Sequence, residues 1–428
     1  MTARAGTANP LPAPDTDLPP LRRNRNFQLL WSGSAFAFLG KEVTDLVYPL
    51  IVLGVTGSAA WAGAFGGMQL FVALLVGLPA GALADTYDRR AMLITMEGVR
   101  VLASLSVLIA VLTDALTLPH LLLVAAAVGA VQPLGGSARM LLVRAAVPPR
   151  QLTAALTQEE VRTHAAGLGG PPLGGFLYAA AAVLPFVTTA LSFLISLVCA
   201  LFVRLPKQAT ENRPAAQGTV LSRVSAGLAM LWRTPLLRHS TIFAAALNAV
   251  TAPLILIVVV LLTRAGASPA MVGLTSIGLA LGGLAGTLLV KPLHRAFSPG
   301  SLMLLLGFTA VAFIASLALP WGPWWTATTL FLLGLGGPSM RVLVDVLIFR
   351  QIPDEQRGRA FSAFMTVLGA GAAVGVFGSG LLLQHLPGAG AVVLLAGVLA
   401  VTVAWAAHDR RIREARWPEE AAQRPLLT

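Results

Sequence analysis

Residues 77–90 read GLPAGALADTYDRR, and residues 282–295 read GGLAGTLLVKPLHR. Gly77, Ala80, Gly81, Leu83 and Arg90 recur as Gly282, Ala285, Gly286, Leu288 and Arg295, a shift of 205 residues. The same shift carries Pro133 to Pro338, Pro148 to Pro353, Gln151 to Gln356, Gly170 to Gly375 and Gly175 to Gly380. Alanine- and glycine-rich segments match by chance in scattered places. Chance seldom keeps one ungapped register from residue 77 to residue 175. The chain therefore reads as two related halves. In a strongly apolar chain, such duplication marks a membrane transporter built from repeats, with its binding site between them.

Composition supports this. Hydrophobic residues make up 56% of the chain and charged residues only 11%, against roughly 25% charged in an average soluble protein. A soluble chain of 428 residues could not cover its surface with so few charges. A bilayer-spanning helix needs about 20 mostly apolar residues. Twelve stretches qualify: 27–54, 61–84, 91–113, 118–142, 155–180, 183–203, 237–263, 270–290, 300–319, 324–347, 360–383 and 389–408. No sustained alternation of apolar and polar residues argues for a β-barrel.

The net charge of +12 invites a nucleic-acid reading, but its distribution opposes one. Of 30 Lys and Arg, 24 fall in the two tails and the even-numbered connections, and only Arg264 in an odd-numbered one. Lys41, Arg100, Arg139, Arg162 and Arg341 lie inside helices or at their ends. This is the positive-inside bias, and it places both termini in the cytoplasm of a multi-pass plasma-membrane protein. Cys199 is alone in an apolar helix, so neither a disulfide nor a metal cluster is expected. The Pro- and Ala-rich start lacks the apolar core of a signal peptide.

The expected organisation is a disordered cytoplasmic tail (1–26), a six-helix bundle (27–203), a cytoplasmic linker (204–236), a second six-helix bundle (237–408) and a cytoplasmic tail (409–428). Within the linker, Val224, Leu228 and Leu231 against Arg223 and Arg233 predict an amphipathic helix at the membrane surface from Ser222.

The segment Gly81-Ala-Leu-Ala-Asp85-Thr-Tyr-Asp88-Arg89-Arg90 closes the second span and opens the third. It resembles motif A of the major facilitator superfamily: a Gly, an Asp four residues on, and a basic cluster. The resemblance covers almost the whole chain and implies an all-α membrane protein of twelve transmembrane helices in two pseudo-symmetric six-helix bundles. It also implies a role for Asp85, with Gly81, Asp88, Arg89 and Arg90, in latching the cytoplasmic side shut against the start of the eleventh helix. A helix N-terminus attracts an anion, which makes that latch physically sound. Gly81 would allow close helix packing there. Thr86 stands in place of a basic residue and Asp88 in place of a Gly; this variant is similar to a subgroup that includes drug, macrolide and siderophore exporters.

In the fifth span, Ala166, Gly170 and Gly174 fall at i, i+4, i+8 and form one groove into which another helix can pack. With Pro171 and Gly175 they resemble the antiporter motif of the same superfamily, which favours export over uptake. In the first span, Lys41, Glu42 and Asp45 lie roughly 20–27 Å along the helix from Phe27. Ionisable groups at such depth mark an ion or substrate path. Lys41 and Asp45 pair at i, i+4, while Glu42 points about 100° away and is expected to be unpaired. An unpaired buried carboxylate favours its neutral form, which suits a proton carrier. No other helix was expected to carry a comparable deep acid.

Glu97 and Arg100 are spaced for a local pair. Arg139, Arg144, Glu159, Glu160 and Arg162 are expected in a solvated cytoplasmic rim, with His164 deeper and suited to titrate near neutral pH. Arg341 and Asp345 look like the comparable pair of the second half. Ser34, Gln69, Gln132, Asn248 and Thr251 are candidates for the substrate cavity by helix position. No nucleotide loop or catalytic constellation is present in the sequence. The reading is thus a transporter, not an enzyme: a monomeric, proton-coupled exporter of a small amphiphilic compound. Its partners are lipid, protons and substrate, with no nucleic acid, metal or cofactor. An uptake permease or uniporter is the alternative within the class, and a non-transporting receptor or scaffold the alternative outside it.

Overall fold

The computed structural model describes residues 20–205, 220–349 and 354–413, and these are almost entirely helical. The first half holds α1 (Arg25–Thr56), α2 (Ala59–Thr86), α3 (Arg89–Leu112), α4 (Leu118–Ala146), α5 (Leu152–Ala180) and α6 (Leu184–Phe202). A connecting helix α7 (Val220–Arg233) follows. The second half holds α8 (Pro235–Thr251), α9 (Leu254–Arg264), α10 (Pro269–Ala296), α11 (Pro299–Ser316), α12 (Gly322–Phe349), α13 (Asp354–His385), α14 (Gly388–His408) and the short α15 (Arg410–Arg413).

Ten stretches among the described residues are long and apolar enough to cross a membrane. α1 and α5, with 32 and 29 residues, are long enough but are interrupted by Lys41, Glu42 and Asp45 and by Glu159, Glu160 and Arg162. Both pack among the spanning helices, α1 against α5 and α6, and α5 against α10. The twelve expected spans are therefore all present as rods. The seventh departs from expectation: it is broken into α8 and α9 at Ala252–Pro253. Pro253 has no N–H to continue the helical ladder, and its own ring blocks the preceding turn.

Packing obeys the sequence repeat. The 205-residue shift maps α2 onto α10, α4 onto α12 and α5 onto α13. α2 lies against α4 as α10 lies against α12; α1 lies against α5 as α8 lies against α13; α3 lies against α6 as α11 lies against α14. Two pairs then join the halves, α2 with α13 and α5 with α10, and the repeat exchanges one for the other. Each half is a six-helix bundle, and the two are pseudo-symmetric.

The halves touch most intimately at the end away from the chain termini. A Cβ on Gly380 of α13 would stand 2.7 Å from the Cα of Gly63 in α2, and one on Gly175 of α5 would stand 3.0 Å from the Cα of Gly273 in α10. Gly175 and Gly380 are the last matched pair of the repeat. Ser58 at the start of α2 donates to Gln384 Oε1 near the end of α13 at 2.9 Å. At the termini end, the ion pair that crosses between the halves among the described residues is Arg341 with Glu160, at 3.8 Å and with both side chains largely exposed.

Outside the bundles, α7 packs on α13 and α8 and buries Leu231 completely while leaving Trp232 half-exposed. It begins two residues before the expected Ser222, and the linker ahead of it lies outside the described residues. The segments 1–19 and 414–428, most of both expected tails, lie there too. α15 tucks back under α11, where Gly300 leaves room for the Ile412 carbonyl.

These contacts predict which glycines accept a side chain. Gly175→Ala or Gly380→Ala must push two backbones apart, at a cost of about 1–3 kcal/mol. Gly378→Ala and Gly397→Ala meet nothing within 4 Å. Thermal unfolding of the detergent-purified protein should show a lowered Tm for the first two only; equal Tm values for all four would contradict the close approach.

Candidate functional site

The ionic cluster of α1 is intact but differs in detail from expectation. Lys41 Nζ donates to Asp45 Oδ2 at 2.6 Å and also to Glu42 Oε1 at 3.2 Å. Glu42 is thus not the unpaired carboxylate its helical spacing suggests. The lysine stem is long enough to reach a neighbour that does not share its helix face. The three side chains are between 25% and 36% exposed, neither sealed in the core nor in bulk solvent. Thr44, between them, turns its hydroxyl back to the carbonyls of Gly40 and Lys41 at 3.0 and 2.8 Å.

The groove of α5 holds this part of α1. Ala166, Gly170, Pro171, Gly174 and Gly175 are all buried. A Cβ on Gly170 would meet Glu42, with the Glu42 Cα 3.2 Å away, and one on Gly174 would stand 2.9 Å from the Val43 carbonyl oxygen. Gly175 faces α10 instead. One helix therefore seats the charged turn of α1 on one side and the second half on another. The expectation that Ala166, Gly170 and Gly174 receive a helix is met, and the helix is α1.

The expected local pair of Glu97 and Arg100 is present, and Arg139 joins it in a second ionic cluster. Glu97 of α3 is fully buried. Its Oε1 accepts from Arg139 of α4 at 2.6 Å and from Arg100 at 3.1 Å. Arg139 also donates to Ser196 Oγ of α6 at 3.3 Å, and the Arg100 guanidinium lies 5.8 Å from the Phe193 ring centroid. A deep acid thus exists outside α1, and Arg139 is a core residue, not part of a solvated rim. A signal for this was in the sequence. Leu93, Glu97, Val101 and Ser104 share the buried stripe of α3 at i, i+4, i+8, i+11. An acid on an apolar stripe asks for a buried partner.

Other expectations also change. Arg162 is buried, bonded to Glu159 at 2.5 Å and placed 5.0 Å from the Phe38 ring centroid of α1. His164, expected deep, has a side chain 49% exposed and lies 3.4 Å from Glu160. Arg341 leans toward Glu160 across the halves at 3.8 Å, while staying close enough to Asp345 to act on its charge. Asp88 caps α3 by accepting from the Ala91 N–H at 2.9 Å, which explains an Asp at that position. Arg90 donates to the Leu201 carbonyl at 2.6 Å and ties the start of α3 to the end of α6. Arg89 donates to the Ala84 carbonyl at 3.4 Å. Gly81 is exposed, and a Cβ there would meet nothing within 4 Å among the described residues. The side chains of Asp85 and of residues 354–359, the expected latch, lie outside the described residues.

Of the cavity candidates, Ser34 is sealed inside the first half and does not line an open space. Gln69 and Gln132 are half-buried on α2 and α4. Asn248 donates to the Leu368 carbonyl of α13 at 2.9 Å, and Thr251 to its own helix at Leu247, 2.9 Å.

Comparison with known proteins agrees with this architecture. A family model described as "Transmembrane secretion effector" matches residues 15–426. No curated protein matches the chain in sequence. Among solved structures, the nucleoside transporter NupG superposes with a TM-score of 0.68 at 16% identity, covering 89% of this chain and 98% of that one. A bacterial homologue of the human lysosomal transporter Spinster, inward-facing and unoccupied, gives 0.68 at 14% identity over 90% and 95%. A POT family transporter in complex with 5-aminolevulinic acid gives 0.71 at 9% identity over 89% and 95%. At these identities the likeness concerns the fold.

The buried cluster makes a stability prediction. Glu97→Leu leaves two guanidinium groups without their carboxylate and should cost about 3–5 kcal/mol. His164→Leu, at a half-exposed site, should stay within about 0.5 kcal/mol. Unfolding of the purified protein in mixed detergent micelles measures both; a Glu97→Leu protein as stable as the parent would contradict the buried pairing.

Proposed function

The chain belongs to the transmembrane secretion effector family of the major facilitator superfamily, and on that premise we propose that it exports a small amphiphilic compound across the plasma membrane by proton antiport. The observation that carries this reading is the Lys41–Glu42–Asp45 cluster, half-exposed in the middle of α1 and seated on the glycine groove of α5. One lysine serves two carboxylates, so the cluster has a formal charge of −1. Such a cluster is neutralised either by one proton or by a cationic group of the substrate. If only one of these binds at a time, the two exchange, which is the requirement of antiport.

The scaffold suits alternating access. The glycine contacts at the far end close one side, while at the termini end an exposed ion pair crosses the halves among the described residues. With the termini cytoplasmic, as the Lys/Arg bias suggests, this conformer faces inward. Rocking of the two halves would open the glycine contacts and close the opposite end. Asp85 and the basic loop beside it would stabilise one of the two states, as motif A does by resemblance. The α5 groove resembles the antiporter motif of the superfamily, and that resemblance favours export over uptake; the groove seats the charged turn on an interface helix.

A ligand interacts differently with the two states only if its binding site changes between them. Glu42 lies against α5, which also carries the contact to α10. Glu42→Gln mimics the protonated acid and should abolish proton-driven efflux, by more than about tenfold (roughly 1.4 kcal/mol), while leaving downhill exchange in place. Asp45→Asn should impair stability more than coupling. Proton release on substrate addition and uphill efflux in proteoliposomes, screened over a panel of amphiphilic compounds, decide the matter. Uphill transport by Glu42→Gln at the parental rate would overturn the assignment.

A further inference from the structure

The α1 cluster and the buried α3–α4 cluster lie on two sides of α6. On one side, a Cβ on Gly40 would stand 3.5 Å from the edge of the Phe193 ring. On the other, the Arg100 guanidinium lies 5.8 Å from the centroid of that ring. One helical turn along, Ser196 accepts from Arg139 while its backbone oxygen lies 3.4 Å from a Cβ placed on Gly33 of α1. Phe193 and Ser196 thus stand between the buried cluster and the α1 backbone at Gly33 and Gly40, one residue before Lys41.

Their formal charges are opposite. Lys41 against Glu42 and Asp45 leaves −1; Arg100 and Arg139 against Glu97 leave +1. The other groups facing α1 carry no comparable surplus near the triad. On α5, Arg162 is held by Glu159, His164 lies beside Glu160, and the Tyr178 hydroxyl lies near Gly54. On α6, Cys199 abuts Gly33. Tyr48 of α1 itself is buried against Phe65 of α2. Arg264, at the far end of α9, donates to the Leu383 carbonyl. Arg22, Arg23, Arg25 and Arg144 sit at the termini end. α2 presents no charged side chain among its described residues ahead of the loop.

We propose that Glu97, Arg100 and Arg139 are positioning residues that set the protonation of the α1 cluster by presenting a net positive charge across Phe193. They carry no proton themselves. The inference rests on the reading of the α1 cluster as the proton site. Across one intervening helix, about 10–12 Å in diameter, a unit charge at an effective dielectric of about 20 shifts a proton equilibrium by on the order of one pH unit.

The test is an infrared pH titration of the full-length protein purified in detergent, with no substrate present. The carboxylic-acid band of the α1 cluster is identified by its loss in Glu42→Gln and Asp45→Asn. Arg100→Gln removes positive charge and should move the midpoint of that band up by on the order of one pH unit. Glu97→Gln removes negative charge and should move it down by a similar amount. The double variant Glu97→Gln/Arg100→Gln and the charge-conserving Arg100→Lys should both titrate like the parent. A purely structural role would not produce shifts of opposite sign. If Glu97→Gln fails to fold, the contrast between Arg100→Gln and Arg100→Lys still decides the sign. Unmoved midpoints, or shifts in the same direction, overturn the inference while leaving the proton site standing. Absence of any titrating band that Glu42→Gln or Asp45→Asn removes overturns the proton site itself, and the inference with it.

Discussion

Two backbone-to-backbone contacts, Gly63 with Gly380 and Gly175 with Gly273, fix how the halves of this protein meet. In a bilayer the lipid tails are as apolar as leucine, so burying apolar side chains does not drive helices together; close packing does. Glycine pairs give the closest approach available. Beside them side chains fit into glycine notches: Val376 and Phe377 of α13 lie against Gly66 and Gly67 of α2, so the two bundles are held firmly in this arrangement. Both contacts lie at the same end of the molecule, so the halves are pinned there.

The repeat explains why there are two such contacts, and it also shows what was not repeated. Gly170 and Gly174 seat α1, and the matching stretch of α13 seats α8: Gly371 and Gly375, the counterparts of Ala166 and Gly170, lie against the backbone of Ala245 and Ala249. The seat was kept in both halves. The charges were not. Where the first half carries Lys41, Glu42 and Asp45, the same shift gives Ala246, Leu247 and Val250 in α8, and the neighbouring Asn248 donates its amide to the Leu368 carbonyl. Both ionic clusters of the membrane interior, on α1 and across α3–α4, belong to the first half among the described residues. A duplicated scaffold thus supports a site that is built on one side only, with the second half serving as the surface it works against.

The fold was legible in the sequence because its determinants are local or periodic. Apolar stretches of bilayer length, the Lys/Arg asymmetry and a fixed shift of 205 residues require no knowledge of tertiary contacts. The α5 groove was legible for the same reason, since i, i+4, i+8 spacing lies on one helix face. What stayed hidden depends on partners far away in the chain. Glu97 and Arg139 are 42 residues apart, and nothing local says that two helix faces will meet. Arg139 and Arg162 were placed near water by their distance from helix ends, but the face a residue occupies decides its burial more than its depth does. Glu42 was misjudged by treating a flexible lysine as bound to its helix face. The seventh span breaks at Pro253, where the helical ladder loses its N–H donor.

Paired distance measurements at both ends of the molecule test the central claim, that the halves rock about a proton-sensitive cluster on α1, most directly. In a Cys199→Ser background, spin labels at Val55 and Leu386 report the far end, and labels at Tyr87 and Lys291 report the termini end; all four positions are exposed. In lipid nanodiscs, changing the pH should lengthen one distance while shortening the other, in matched populations, and Glu42→Gln should remove that response. Distances that move in the same sense at both ends, or a pH response that survives Glu42→Gln unchanged, would contradict the account.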